Sequence, residues 1–530
     1  MKLGVDFGTT RIVIAQVDRG NYPIITFHAT AGESYDWFPA LVAMRDRQFL
    51  FGWEAWEAQQ VPGVVVARSI KRFLQHTGPQ TRVEIGGQII PMLDLLSGLC
   101  AALKSALVQH SSLKVKASEA FEIMLGVPAN ANGNQRFLTV EAFRRAGFEV
   151  LGLLNEPTAA SIEYGHGQRA KSDVDARSRV LVYDLGGGTF DASLVELDGQ
   201  KHEVVASEGI TSLGGDDFDD LLAELALEAA GISSDEQQDI PQTEMFLLHE
   251  ECRRKKETLH PNTRRMLIEL DQVRETWPQA TVPVNLFYER AQPLVAETIH
   301  AVEDLLKLHP EPIDALYVTG GASDLPLVAR ALKESFGRRV TRSSYARSAT
   351  AIGLAIQADA ETGYQLHEKF TRYFGVWRET DSGHNVVFDP LFLKGTPLPA
   401  GGHPPLTVSR IYHPAHNIGH FRYLECSHRT ADGRPSGEIT IWDQILFPFE
   451  AALQPREDLA GAAVQRLESG SEDEVEERYS CDASGAVTVT ISNRSAGYER
   501  NYNLGRWGQT GPTVAPARKR ARRASAAKSK

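Results

Sequence analysis

Two short segments set a carboxylate, glycines and threonines behind an apolar run. Asp6-Phe7-Gly8-Thr9-Thr10 follows Leu3-Gly4-Val5, and Asp184-Leu185-Gly186-Gly187-Gly188-Thr189-Phe190-Asp191 follows Val180-Leu181-Val182-Tyr183. Each apolar run reads as a buried strand and each loop as the turn at its end. Glycine lets backbone approach an anion closely because no Cβ blocks the turn. Successive N–H groups, helped by threonine hydroxyls, cradle phosphate oxygens, and the leading aspartates suit a hydrated magnesium ion. Two such loops facing each other would grip a nucleoside triphosphate, whereas one alone is a common turn.

The elements that must position these loops alternate between strand and helix from Met1 to about residue 360, the signature of an α/β architecture. Leu93, Leu96, Leu99, Cys100, Leu103 and Leu107 recur at helical spacing, so Met92 to Leu107 should be an amphipathic helix packed on a sheet. Phe121 to Val127 reads as a buried strand ended by Pro128, and Gln135 to Ala146 as a helix stopped by Gly147. Beyond about residue 365 the texture changes to short alternating strands, such as Gly437 to Trp442 and Ala486 to Ile491, which predict an all-β domain. The acidic, Gly/Ser-rich stretch from Leu467 to Glu477 reads as a mobile loop, and the chain beyond Gly508 as a disordered basic tail.

At 530 residues there is room for roughly three or four domains. Hydrophobic residues at 42% and charged residues at 23% match an ordinary globular protein. The net charge is −12, and the segment Thr513 to Lys530 holds seven Lys or Arg and no acid, which leaves −19 on the body. An acidic body argues against nucleic acid as its ligand, apart from a weak contact by Arg518-Lys519-Arg520-Ala521-Arg522-Arg523. Cys100, Cys252, Cys426 and Cys481 form no Cys-x-x-Cys pair and read as free thiols. The first strand starts at once and no apolar run approaches membrane-spanning length, so a cytoplasmic location and no membrane partner are expected.

The two loops have company. Val127-Pro128, Gln135-Arg136, Asn155-Glu156-Pro157-Thr158-Ala159-Ala160, Leu213-Gly214-Gly215-Asp216-Asp217-Phe218-Asp219 and Val318-Thr319-Gly320-Gly321-Ala322-Ser323 follow in order. The series resembles the ATPase domain of the DnaK-like, heat-shock 70 chaperone family over residues 1–360. The resemblance implies an actin-like domain of two lobes around a nucleotide cleft, a linker over 361–375, a β-sandwich that binds peptide over 376–507, and the tail 508–530. It implies ATP or ADP with Mg2+ as cofactors, slow ATP hydrolysis, extended protein segments as clients, and co-chaperone and nucleotide-exchange partners.

Carried over by position, Asp6 and Asp184 would organise the water shell of magnesium, and Asp191 would orient the attacking water. Thr189 would sit against the γ-phosphate, Lys71 would reach it, and Glu156 would position metal-bound water. Gly8, Thr9, Thr10, Gly186, Gly187, Gly188, Gly214, Gly215, Asp216, Lys256, Gly320 and Gly321 would line the nucleotide. Phosphoryl transfer needs positioning and charge neutralisation more than covalent help, which suits these residue types. Taken alone, Lys71 reads as a solvated helix lysine, Glu156 as a helix N-terminal carboxylate and Arg136 as a surface residue; in the series, Pro128, Arg136 and Glu156 resemble the family's relay of nucleotide state.

The adenosine side departs from the family. Lys256 is kept, but Arg253 and His260 stand at two neighbouring family positions. The arginine that stacks on the base is replaced by Asp324, and a later acid near the base by Arg347. Either the pocket is remodelled, with altered base preference, or these residues form rim ion pairs and nucleotide is held by its phosphates. Val387 to Pro399 and Asp482 to Val489 look like parts of the peptide-binding sandwich, whose apolar pocket would suit extended chain. The acid-flanked leucine linker is not recognisable in Tyr364 to Phe370. The residues after the β region are too few, and of the wrong composition, for the helical lid, so client would be released quickly. A nucleotide-gated scaffold with little turnover, and a sugar-kinase-like enzyme of the same superfamily, are the alternatives.

Overall fold

The computed structural model describes residues 1–504, apart from 30–31, 60, 62, 79–80, 117, 170–176, 381–384, 400–402, 457, 468–471 and 483–484. The basic tail lies outside the described residues. So does part of the expected acidic loop, whose last three residues are instead the start of the strand Val475–Cys481. Alternation decides that outcome: Val475, Tyr479 and Cys481 are all buried against the β core, which outweighs the local acidity.

Two mixed sheets carry the first 367 residues. In the first, the strand order is Glu149–Asn155, Glu122–Val127, Lys2–Phe7, Arg11–Gln16 and Phe38–Pro39. In the second it is Val340–Arg342, Ala315–Thr319, Ser178–Leu185, Phe190–Asp198, Lys201–Ile210 and Gln365–His367. Each sheet is built on an antiparallel hairpin, Lys2–Phe7 with Arg11–Gln16 and Ser178–Leu185 with Phe190–Asp198. The first strand of each hairpin also pairs in parallel with a later strand, Glu122–Val127 in one case and Ala315–Thr319 in the other. The turn of each hairpin is one of the two Gly-Thr loops. Leu3, Val5, Val180, Leu181, Val182 and Tyr183 are fully buried, as central strands covered on both faces require.

The helices Glu156–Arg169 and Ala349–Ala358 meet where the two sheets approach. Their seam needs small residues: a Cβ on Gly353 would lie 1.8 Å from the Ala159 carbonyl oxygen, and one on Gly4 would lie 2.2 Å from the Ala355 nitrogen. The expected leucine helix spans Met92–Gln109 and buries Leu93, Leu96, Leu99, Leu103 and Leu107 in the first sheet's core. It is the one helix among the described residues long and apolar enough to cross a membrane, and its burial marks it as a core helix. Gly133–Arg145 starts earlier than expected, because Asn132 and Gln135 form a capping box. All four cysteines are free and buried.

Residues 373–503 form two antiparallel four-stranded sheets. One orders as Asn385–Phe392, Tyr373–Thr380, Ile418–Arg429 and Pro435–Pro448, the other as Leu406–Tyr412, Val475–Cys481, Val487–Asn493 and Tyr498–Asn503. Phe374, Phe392, Tyr423, Trp442, Phe447 and Tyr479 share the core between them. This region sits against the first two sheets. Glu425 Oε2 accepts from Gly133 N at 3.0 Å, Asn132 Nδ2 donates to Thr440 Oγ1 at 3.1 Å, and Lys394 pairs with Glu208 at 2.9 Å.

The connecting segment, unrecognisable by its residues, is nonetheless ordered: Gln365–His367 pairs in parallel with Lys201–Glu203 at the edge of the second sheet. Glu368 then turns inward, buried, and accepts from Asn155 N at 2.9 Å. Arg136 donates to Asn155 Oδ1 at 2.7 Å from the other side.

His202 lies beneath this strand, 1% exposed, with its ring edge-on to Tyr364 at 5.3 Å. Ser161 Oγ donates to Thr158 O at 2.7 Å and lies 3.2 Å from His202 Nδ1, which makes Nδ1 the donating nitrogen. Nε2 faces Gly165 and is buried without a partner. Burial, reinforced by the charge of Arg169, pushes the imidazole down to about 4. A base whose folded value is depressed contributes stability that is present above its unfolded value of about 6.5 and is lost as pH falls from there toward 4. We expect this group to cost roughly 2 kcal/mol at pH 5. Thermal unfolding at pH 7.5 and 5 should show a loss in the wild type that His202→Gln largely lacks; equal losses would exclude it.

Candidate functional site

The two hairpin turns come together at the meeting of the two sheets, and glycine is required at the contact. A Cβ on Gly187 would lie 3.3 Å from Thr10 Cγ2, and one on Gly188 would lie 2.8 Å from Thr9 Oγ1. The Gly214-Gly215 turn is stitched onto the second loop, with Gly215 N donating to Gly186 O at 2.9 Å and Asp216 N to Gly187 O at 2.8 Å. A Cβ on Gly214 would lie 2.6 Å from Gly188 N. Gly320, with φ of 85°, is held by a 2.8 Å bond from its N–H to Ala346 O.

A cavity of ≈ 220 Å³ opens between them. Of the residues expected from sequence, Asp6, Gly8, Thr9, Thr10, Lys71, Glu156, Asp184, Gly186, Gly187, Thr189, Gly215, Asp216, Lys256, Gly320 and Gly321 line it. Gly188, Asp191 and Gly214 do not. The two glycines form the packed underside of the loops, and Asp191 sits behind the wall, accepting from Ala129 N at 2.9 Å and from the Thr189 hydroxyl.

At the floor, Lys71 is buried and its Nζ lies 2.5 Å from Glu156 Oε1. It belongs to a single helical turn, Ile70–Phe73, entered through Ser69 in the left-handed region. Around this pair stand three aspartates at strand ends. Asp184 and Asp191 are direct partners across the second hairpin, and Asp6 ends the first strand's approach to its own turn.

Burial pushes Asp6 up to about 7, the charge of Glu156 adds to this, and Lys71 opposes it. Burial and Glu156 likewise raise Asp191 to about 7, against Lys71 and the Ala129 and Thr189 hydrogen bonds. Burial and the three neighbouring carboxylates, Glu156 first, raise Asp184 well above the carboxylate range. For Lys71, burial works against the charge, but Glu156, Asp6 and Asp191 more than reverse it, so the ammonium is held above its usual range.

Four carboxylates thus share one buried cation. Such a cluster fits an added divalent ion, which would relieve the excess negative charge. Among the described residues no group of three His, Cys, Asp or Glu side chains is set to ligate a metal directly.

The cleft walls are tied across the cavity by ion pairs that join motif residues to others the motifs do not single out. Arg68 meets Asp216 at 3.3 Å and Glu250 at 3.4 Å, Arg72 meets Asp217 at 3.1 Å, and Lys256 meets Asp219 at 2.7 Å. Arg11 donates to both oxygens of Glu257, at 3.0 and 2.8 Å, with its guanidinium 4.9 Å above the Trp37 ring. Arg253 reaches Glu250 and lies 5.8 Å over Trp56. Arg11, Asp36, Trp37, Asp219 and Glu257 all line the cavity. Of these, Asp219 closes the Leu213 to Asp219 motif and Arg11 directly follows Thr9-Thr10; the other three carried no such signal.

Residues 98–371, just over half of the chain, match the profile of the family described as Hsp70 protein. The chain belongs to the Hsp70 family. Among curated relatives it is similar to chaperone protein HscA of Salmonella typhimurium, 31% identical over 384 residues, and of Cronobacter sakazakii, 33% identical over 386 residues. The HscA of Xenorhabdus nematophila is 30% identical over 380 residues. Each alignment covers 68% of this chain and 58% of the relative, so the chain spans little more than half the length of the relatives it matches.

Gly320 offers a direct check of the geometry. An added Cβ would fall 2.3 Å from Leu185 O and 2.4 Å from Asp184 Oδ1, in a conformation that L-residues avoid. Gly320→Ala is therefore expected to cost about 2 kcal/mol or more in stability, read by urea unfolding. A matched Gly167→Ala change, with nothing within 4 Å, should be neutral or stabilising.

Proposed function

We propose that this chain is an ATP-dependent molecular chaperone, hydrolysing Mg-ATP slowly in an actin-like two-lobed domain over residues 1–360 and binding extended protein segments with a β-sandwich over 376–507. The observation that carries the reading is the buried Lys71–Glu156 pair ringed by Asp6, Asp184 and Asp191 at the junction of two Gly-Thr loops. Family membership and the HscA relatives support it, and a cytoplasmic location and co-chaperone and nucleotide-exchange partners belong to it.

In this reading the backbone N–H groups of Gly8 to Thr10, Gly187 and Thr189 bind phosphate oxygens, and the Thr9, Thr10 and Thr189 hydroxyls add donors. A magnesium ion held through water by Asp6 and Asp184 supplies neutralisation of the phosphate charge. Lys71 extends its ammonium toward the terminal phosphate, kept in place by Glu156. Asp191, fixed by Ala129 N, orients the attacking water and takes its proton. The linker's Glu368, through Asn155, ends one residue from Glu156, so seating of the Gln365–His367 strand bears on the site that holds Lys71.

Steady-state ATP hydrolysis by the full chain tests this. Asp191→Asn and Thr189→Ala are expected to lower kcat by ~100-fold, and Lys71→Ala to abolish turnover. Equal traces from wild type and all three variants would remove the enzymatic half of the proposal.

A further inference from the structure

The base end of the cleft contains two departures that looked independent in sequence, Asp324 where the family has its base-stacking arginine and Arg347 where it has an acid. In the fold they are partners. Arg347 Nε donates to Asp324 Oδ2 at 3.0 Å, and Arg342 reaches the other Asp324 oxygen. Arg347 Nη1 also lies 3.7 Å from Glu257, the carboxylate that Arg11 grips from the opposite wall. Guanidinium and carboxylate therefore alternate across the mouth in the order Arg11, Glu257, Arg347, Asp324, Arg342.

Arg347 lines the same cavity as the phosphate loops and stands beside the Gly320-Gly321 turn, its Cγ 4.0 Å from where a Gly321 Cβ would be. Its side chain is 43% exposed. Hydrogen bonds from a guanidinium lie in its plane, so carboxylates at its edges fix its orientation and leave its faces for an aromatic ring.

We propose that Arg347 is the base-recognising residue of this cleft, arginine and acid standing at exchanged positions relative to the family so that the guanidinium meets the nucleobase from the other loop. The proposal rests on the nucleotide-binding reading above and adds the residue that selects a nucleotide over bare phosphate. Neither Asp324 nor Glu257 can stack on a base; both serve to hold the arginine flat.

Calorimetry of the full chain with ATP and with inorganic tripolyphosphate separates the two levels. Arg347→Ala is expected to weaken ATP about ten-fold while leaving tripolyphosphate at the wild-type value. Arg347→Asp alone should lose at least as much ATP affinity, and the double exchange Asp324→Arg/Arg347→Asp should recover most of it. Unchanged ATP affinity in Arg347→Ala, an equal loss for both ligands, or a double exchange no better than Arg347→Asp would overturn the assignment. Wild-type protein that bound tripolyphosphate but gained nothing from the nucleoside would overturn it too, leaving phosphate binding intact. Binding of neither ligand would instead sink the nucleotide reading beneath it.

Discussion

A buried ion pair set among like charges governs the first 360 residues. Removing a lysine and a carboxylate from water costs several kcal/mol each, and their attraction returns this only when the geometry is close and the remaining atoms are satisfied. The Lys71–Glu156 pair meets the first condition at 2.5 Å. The second is met collectively. Glu156 is fixed by the strand-to-helix junction after Asn155, Lys71 by one helical turn, and Asp6, Asp184 and Asp191 by the ends of two hairpins. A core this acidic gains little by collapsing on its own.

That constraint explains why both sheets carry the same hairpin. Each must deliver a carboxylate and a glycine turn to one point from opposite sides, and a strand ending in a tight turn does so with few degrees of freedom. The glycines are there because the approach is close: Gly187 and Gly188 lie against the side chains of Thr9 and Thr10, and Gly214 lies against the backbone of Gly188. The same demand for close approach, at the Gly353–Ala159 seam, brings the helices near enough for the turns to meet.

Much of this was legible in the residues. The strands behind the loops, the Met92–Gln109 helix and the change of texture near residue 365 are periodicity signals, and periodicity survives tertiary context. The loop residues that gather around the cavity were legible because their spacing is tied to turns. What escaped were contacts between distant segments. Nothing local marks Arg11 as the partner of Glu257, or Trp37 as a cavity wall. The strand Gln365–His367 was not read for a related reason: the segment lacks the expected residues, but strand pairing uses backbone, and only Leu366 needs an apolar seat beside Leu154, Ala159 and Leu354. The end of the acidic stretch, Val475 to Glu477, was misread because composition was weighed above the alternation that begins there.

The helix Ala349–Ala358 follows the strand Val340–Arg342 of the second sheet in the chain, yet it lies on Gly4 of the very first strand and against Ala159. Val13 and Ala15 pack into the same cluster as Ala351, Ala355 and Ile356. During synthesis the first sheet therefore emerges with a bare apolar face that only residue 349 and beyond can cover. The N-terminal half has to wait for nearly all of the following half, which makes this part of the protein one folding unit despite its two sheets. It also leaves a long interval in which the nascent chain itself presents an exposed hydrophobic surface.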